Sequence, residues 1–287
     1  MPTPDATTPL AERLSAIANR FAGKVGFYIR HLGTGDLLVH DEQAWFPTAS
    51  VIKLPLLSAF SAYVERGGAS WDERVTVTEQ QVVGGSGLLQ HLARPHTVSL
   101  SDVAWYALCL SDNVATNLFI TRVGGVRAVN RLLERYVGDG IKLLSPAMAR
   151  CDRSTRSMGE ATAAGIGAFL ERLAAGEAPG ASRLLDIAAH QVYGTMIPRY
   201  LPEPGSSSRV RRICNKTGFL PGIRGDAAVV ETCDGSMVMA AFTDLPASCA
   251  VHEDPGEPLI ANLAAVAFRD WFDPQRGAKR EGAASTS

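Results

Sequence analysis

The sequence predicts a two-lobed α+β fold. Three observations carry that expectation. Apolar and polar residues alternate with period two only near the two ends of the chain. A helical period fills the long middle stretch. Turn and stop signals, Gly33-Thr34-Gly35, Gly67-Gly68, Gly124-Gly125 and Asp234-Gly235, fall between the periodic segments. The expected architecture is one antiparallel sheet built from both chain ends with flanking helices, about residues 10–47 and 209–272. An all-helical lobe, about 50–205, is inserted between them, within a single domain spanning 1–287.

Leu10 to Phe21 reads as a helix with Leu10, Leu14, Ile17, Ala18 and Phe21 on one stripe. Val25 to Ile29 and Leu37 to Val39 read as two strands joined by the Gly33-Thr34-Gly35 turn. After Pro47 the pattern turns helical. Ser50 to Tyr63 tolerates Pro55 because it falls in the early turns, and Gly67-Gly68 stops the run. Ser99 to Leu110 starts on a Ser cap, and Asn113 to Val123 and Val126 to Tyr136 follow. Glu160 to Ala174 and Leu184 to Tyr193 read as two more helices, and Pro202 to Ser208 as a loop. The period then returns to two in Val210 to Asn215, Ala227 to Thr232 and Ser236 to Thr243. Ile260 to Phe272 is a closing helix, and the polar tail from Gln275 to Ser287 is expected to be disordered.

Composition narrows the function. With 287 residues, 46% of them hydrophobic, the chain can fill a full core. The net charge of −1 gives no electrostatic footprint for nucleic acid, and Arg209-Val210-Arg211-Arg212 is too short to change that. No apolar run approaches a membrane span of about 20 residues. The expected partner is therefore a small molecule, not a nucleic acid or a membrane. The first residues lack a basic region followed by an apolar run, and five cysteines are scattered without C-x-x-C spacing. Both point to the cytoplasm, with secretion after removal of a leader as the alternative. His31, His40, His91, His96, His190 and His252 form no pair with metal-ligand spacing, and there is no phosphate-binding glycine loop. Neither a metal nor another cofactor is expected.

Three short motifs follow one another along the chain. Ser50-Val51-Ile52-Lys53 reads S-x-x-K, Ser111-Asp112-Asn113 reads S-D-N, and Lys216-Thr217-Gly218 reads K-T-G. Each alone is a weak signal; the ordered set points to a serine acyl-transfer site. A serine hydroxyl needs a base to take its proton. Ser50 and Lys53 are one helical turn apart, and a neutral Lys53 can be that base. Burial and a second cation, Lys216, would lower its pKa as the role requires. The helix start at Ser50 favours a developing anion. Ser111 can relay a proton between Lys53 and a leaving amine, and Asn113 can hold a substrate amide and brace Lys53. The bland reading of Ser111 to Asn113 is a capping turn, and both can hold. The Phe219 N–H, with that of Ser50, can form an oxyanion hole. Gly218 lets a substrate backbone come close, and Lys216 and Thr217 can hold a carboxylate. Arg224 either adds a bidentate carboxylate contact or pairs structurally with Asp226.

From Lys24 to Phe272 the chain resembles a serine β-lactamase of the class A type, in the penicillin-recognising family. The three motifs carry the resemblance, with Gly84-Gly85-Ser86-Gly87, similar to the segment at the mouth of that family's cleft, and Leu220-Pro221-Gly222-Ile223-Arg224. It implies a sheet lobe and a helical lobe with the site between them, and places Ser86 among the substrate-binding residues. It also implies a loop glutamate, in an E-x-x-L-N pattern, that activates the deacylating water. That pattern is absent here. Val137 to Thr155 holds only Asp139 and Asp152, and Glu160 is expected to be structural, in the helix that follows. The expected function is β-lactamase-type hydrolysis through an acyl-enzyme, with slow deacylation. The alternatives are an esterase, peptidase or acyl transferase of small-molecule metabolism, or a non-catalytic trap for β-lactams.

Overall fold

Two N-terminal strands, β1 (Lys24–His31) and β2 (Leu37–His40), pair with three C-terminal ones in a computed structural model that describes residues 8–148, 157–205, 208–246 and 254–273. The five-stranded antiparallel sheet has the order β2-β1-β10-β9-β8, with β8 spanning Val210–Leu220, β9 Ile223–Thr232 and β10 Gly235–Asp244. This is the sheet expected from both chain ends. Its outer face carries Phe27, Ile29, Ala228, Val230, Met239 and Ala241 against two helices, α1 (Leu10–Ala18) and α8 (Gly256–Phe272). Its inner face carries Tyr28, Cys214, Ala227, Val229 and Phe242 into a second core shared with the central helices. Alternation of side chains along each strand divides the two cores.

The central helices are α2 (Lys53–Glu65), α3 (Leu100–Cys109), α4 (Asn113–Val123), α5 (Val126–Leu132), α6 (Ala163–Ala174) and α7 (Ala181–Ala188). Helix α2 is buried nearly all round, with Leu54, Leu56, Leu57 and Phe60 in the core, so it has little amphipathic contrast. Pro55 sits in its first turn, where its missing N–H is not needed. Five short strands, β3 (Trp45–Pro47), β4 (Arg74–Val77), β5 (His96–Ser99), β6 (Ile141–Leu143) and β7 (Gly159–Thr162), form two small sheets around the helices.

Several boundaries differ from the sequence expectation. Glu160 lies in β7, where it pairs with Lys142, rather than in a helix; α6 starts at Ala163 because Thr162 Oγ1 accepts the Gly165 N–H at 2.9 Å. The helix expected over Leu184 to Tyr193 runs from Ala181 to Ala188. The last turn of the Val126 helix widens to a π turn over Leu133–Val137. Strand β8 continues through the K-T-G motif to Leu220. The tail beyond residue 273, with Asp152, Cys151, Cys249 and His252, lies outside the described residues. Among the described residues no helix is long and apolar enough to cross a membrane, and no group of three or more His, Cys, Asp or Glu could hold a metal ion.

Candidate active site

Ser50 lies in a 3₁₀ turn, Ala49–Ile52, that runs directly into α2 at Lys53. The turn is held from three sides. Ala49 N donates to Ser157 Oγ at 2.9 Å, and Thr48 N donates to Gly159 O at 2.9 Å. On the third side stands β8. A Cβ on Gly218 would lie 2.4 Å from Thr48 O and 3.1 Å from Ser50 N. The space freed by this glycine is thus taken by the chain's own Ser50 turn, not by a substrate backbone as the sequence suggested. The contact brings the Ser50 N–H beside the strand that carries Phe219. Ala49 has a left-handed backbone, φ 46°, and Ser111 another, φ 54°. Such angles cost roughly 1–3 kcal/mol each and persist where surrounding bonds fix them.

The S-D-N turn joins α3 to α4. Asp112 caps α4 through Ala115 N at 2.9 Å. Its other carboxylate oxygen accepts Leu88 N and Leu89 N at 2.7 and 2.8 Å. One acidic side chain therefore ties the helix start to Leu88 and Leu89, directly after the Gly84–Gly87 segment. At Gly87, φ 113°, any side chain would run into that carboxylate. Ser86 Oγ donates to Ser111 O at 2.7 Å, and Asn113 Nδ2 to Gly84 O at 3.0 Å.

Two buried amines flank one hydroxyl. Lys53 Nζ donates to Ser111 O at 2.5 Å, to Ser111 Oγ at 3.3 Å and to Asn113 Oδ1 at 2.9 Å. Lys216 Nζ reaches the same Ser111 Oγ at 3.2 Å and Thr217 O at 2.9 Å. Both lysines are 0% exposed. Burial, then the charge of Lys216, holds the Lys53 amine well below its usual range, while Asp112 opposes them. Burial pushes Lys216 down to about 7, against the pull of Asp226 and Cys109.

A cavity of about 430 Å³ opens onto Ser50, Ser86, Ser111 and Asn113 on its polar side. Met148, Met158, Tyr193, Phe219 and Leu220 make an apolar wall. The loop after β6 enters it at Ala147, whose N–H and carbonyl are clamped by Asn117 at 2.8 and 3.0 Å. No carboxylate lines this cavity among the described residues. Thr217 Oγ1 is buried with no hydrogen-bond partner.

Arg224 stands apart from this group. Its guanidinium bonds Glu257 at 2.9 Å and Asp254 at 3.0 Å at the start of α8, and the Leu220 and Ile223 carbonyls. Neither the free carboxylate binder nor the Asp226 pair read from sequence describes it. Asp226 instead accepts from Asn215 and Ile197. Sequence reasoning missed Ser157, Asn117, the double role of Asp112 and Met148, Met158 and Tyr193 of the wall. Only Asp112 had a signal, its place as N-cap of α4.

A sequence profile of the β-lactamase enzyme family matches residues 9–271. The chain belongs to that family. It is 33% identical over 141 residues to a β-lactamase of Streptomyces lavendulae, a match covering 47% of this chain and 45% of that one. The chain thus spans less than half the length of this curated relative. Two solved structures of the same fold are similar over nearly their whole length. A β-lactamase from Sphaerobacter thermophilus is 29% identical with TM-score 0.80, covering 90% of this chain and 95% of that one. A leucine-to-glutamate variant of PBP-A, solved as an acyl-enzyme complex with penicillin G, is 25% identical with TM-score 0.81, covering 94% of this chain and 99% of that one.

Proposed function

We propose that this member of the β-lactamase family is a serine hydrolase that opens a cyclic amide of the β-lactam type through an acyl-enzyme on Ser50. The observation that carries the reading is the Lys53–Ser111–Lys216 array, two fully buried amines on either side of one hydroxyl, next to a serine facing a cavity. The acyl-enzyme of PBP-A with penicillin G, on the same fold, supports the covalent route.

Acylation follows from these groups. A neutral Lys53 keeps two hydrogens, enough for Ser111 O and Asn113 Oδ1, and its lone pair is free to accept a hydroxyl proton. Ser50 Oγ attacks the lactam carbonyl as its proton passes to Lys53. The Ser50 and Phe219 N–H groups take the oxyanion. When the C–N bond breaks, the nitrogen takes a proton from Ser111, which recovers one from Lys53. Lys216 compensates the negative charge around Ser111, and with Thr217 and its unpaired hydroxyl it binds a substrate carboxylate. Arg224, tied to Asp254 and Glu257, braces the β8–β9 turn instead.

Deacylation is the slow step in this reading. Its support is the absence of any carboxylate among the described cavity-lining residues, with Ala147 where the loop enters. Water is then activated by Lys53 or by a displaced carboxylate, of which Asp152, outside the described residues, is the candidate the sequence offers. Turnover of a chromogenic cephalosporin tests this. One equivalent of product should appear in a burst, followed by a slow steady state. Burst-free turnover near ~10³ s⁻¹, the upper end for ordinary enzymes, would overturn it.

A further inference from the structure

The chain turns sharply between β3 and Ser50, and one side chain stands at the turn. Strand β3 pairs with β7 as far as Pro47 opposite Glu160, and Thr48 N adds a bond to Gly159 O at 2.9 Å. The main-chain ladder stops there, because the Met158 carbonyl serves the β6 side, accepting Leu144 N at 2.8 Å and Ser145 N at 3.1 Å. The next N–H on the Ser50 side, that of Ala49, goes instead to the Ser157 hydroxyl at 2.9 Å. Ser157 is buried, and its Oγ also accepts Gly159 N, two residues on, at 3.3 Å. A hydroxyl oxygen accepts two bonds, so both lone pairs are committed. The local bond to Gly159 fixes the rotamer that faces Ala49.

Ala49 immediately precedes Ser50, and its φ of 46° lies in the left-handed region, which its Cβ opposes. This angle is the rotation about the Ala49 N–Cα bond. Ser157 holds one end of that rotation through the N–H. The Thr48 hydroxyl holds the other by donating to the Ala49 carbonyl at 3.3 Å. On the β8 side, Gly218 only leaves room, since a Cβ there would lie 3.1 Å from Ala49 Cβ. The Ser157 bond is therefore the directed contact that reaches the strained residue from outside its own turn. The Ser50 Oγ and N–H swing with this rotation.

We infer that Ser157 is a positioning residue for acylation: its hydroxyl holds Ala49 in the left-handed conformation that sets the direction of Ser50 Oγ and N–H. The inference rests on the proposed acyl-enzyme function. Ser157 touches no reacting atom and acts through Ala49. Without the hydroxyl, Ala49 relaxes toward negative φ, and Ser50 is aimed correctly in only a fraction of molecules. The Tyr193, Phe219 and Asn113 sides of the cavity come from other elements, so the loss falls on the chemical step.

The test is the time course of Ser50 acylation by benzylpenicillin, read by intact mass at several concentrations. It separates the limiting rate from the half-saturating concentration. Ser157→Ala should lower the limiting rate about tenfold and move the half-saturating concentration by less than about twofold. The decisive background is Ala49→Gly, because glycine adopts positive φ without that cost and does not need the hydroxyl. There the Ser157→Ala change should lower the limiting rate by less than about threefold. A role in merely holding the loop together slows both backgrounds alike. Equal losses, a loss below about threefold in the wild-type background, or a loss carried by the half-saturating concentration overturns the inference and spares the proposed function. If Ser157→Ala alone does not fold, the double variant measured beside Ala49→Gly decides. Rates within about threefold support the inference, and a larger loss or a failure to fold overturns it. No adduct on the wild-type protein overturns both.

Discussion

Replacing Gly218 by alanine tests how closely β8 must lie against the Ser50 turn. The new Cβ would stand 2.4 Å from Thr48 O, 3.1 Å from Ala49 Cβ and 3.1 Å from Ser50 N. None of these atoms can rotate away. Because real Cβ atoms essentially never come within 3.0 Å of such a neighbour, going from 2.4 to 3.0 Å parts strand and turn by at least 0.6 Å. That movement separates the Ser50 N–H from the Phe219 N–H and shifts the Ser50 side chain. Misplacement by about 1 Å at a reacting centre costs up to ~10²-fold, so acylation should fall about 10–100-fold. Overpacking of this kind costs about 1–3 kcal/mol, a few degrees in Tm for a chain of this size. The assay is the benzylpenicillin acylation rate beside a thermal melt. Gly205→Ala, which meets open space, is the control and should change neither. Acylation within twofold of wild type at unchanged Tm would refute the packing argument.

Three other outcomes follow from the same structure. Ala147→Glu puts a carboxylate on the Asn117-clamped loop inside the cavity; general-base catalysis should shorten the acyl-enzyme lifetime about 10²–10⁴-fold, and an unchanged lifetime in a folded variant counts against that position. Esterifying the substrate carboxylate should lower kcat/KM; equal rates for acid and ester would remove the carboxylate role of Lys216 and Thr217. His31 Nδ1 accepts the Gly33 and Thr34 N–H groups at 3.0 and 3.1 Å, and burial lowers its pKa from 6.5. A depressed histidine stabilises the fold above its unfolded pKa and loses that stability as pH falls through and below about 6.5. The drop in Tm between pH 7.5 and 5 should therefore be smaller in His31→Asn, and an identical drop shows that His31 does not titrate with folding.

The elements that sequence revealed are those whose local pattern is also their tertiary role. Strands β1, β9 and β10 alternate because two different cores lie on their two faces, and α4 is announced by its Asp112 cap and Gly124 stop. The motif residues are legible because the proposed acyl transfer needs those side chains at those spacings. What escaped has nonlocal causes. The sequence pattern ends β8 at Asn215 because Lys216 and Thr217, polar but fully buried, interrupt its apolar alternation. Sequence alone places Glu160 in a helix because its strand exists only by pairing with Trp45–Pro47 and Ile141–Leu143, each too short to carry a period. Arg224 could not be placed because its partners, Asp254 and Glu257, come from the start of α8. Gly218 looked like an opening for substrate because nothing local says that Thr48 and Ser50 fill that space. Ser157 and Asn117 are single polar residues whose partners are backbone groups far along the chain.

The central claim is that Ser50 becomes acylated with Lys53 as its base. The most direct measurement is peptide mapping of the adduct after brief exposure to benzylpenicillin, on wild type, Ser50→Ala and Lys53→Ala. The account predicts one added penicillin mass on the peptide bearing Ser50, no adduct on Ser50→Ala, and acylation of Lys53→Ala slowed about 10²–10⁴-fold. An adduct on another serine, or undiminished labelling of Ser50→Ala, would contradict it.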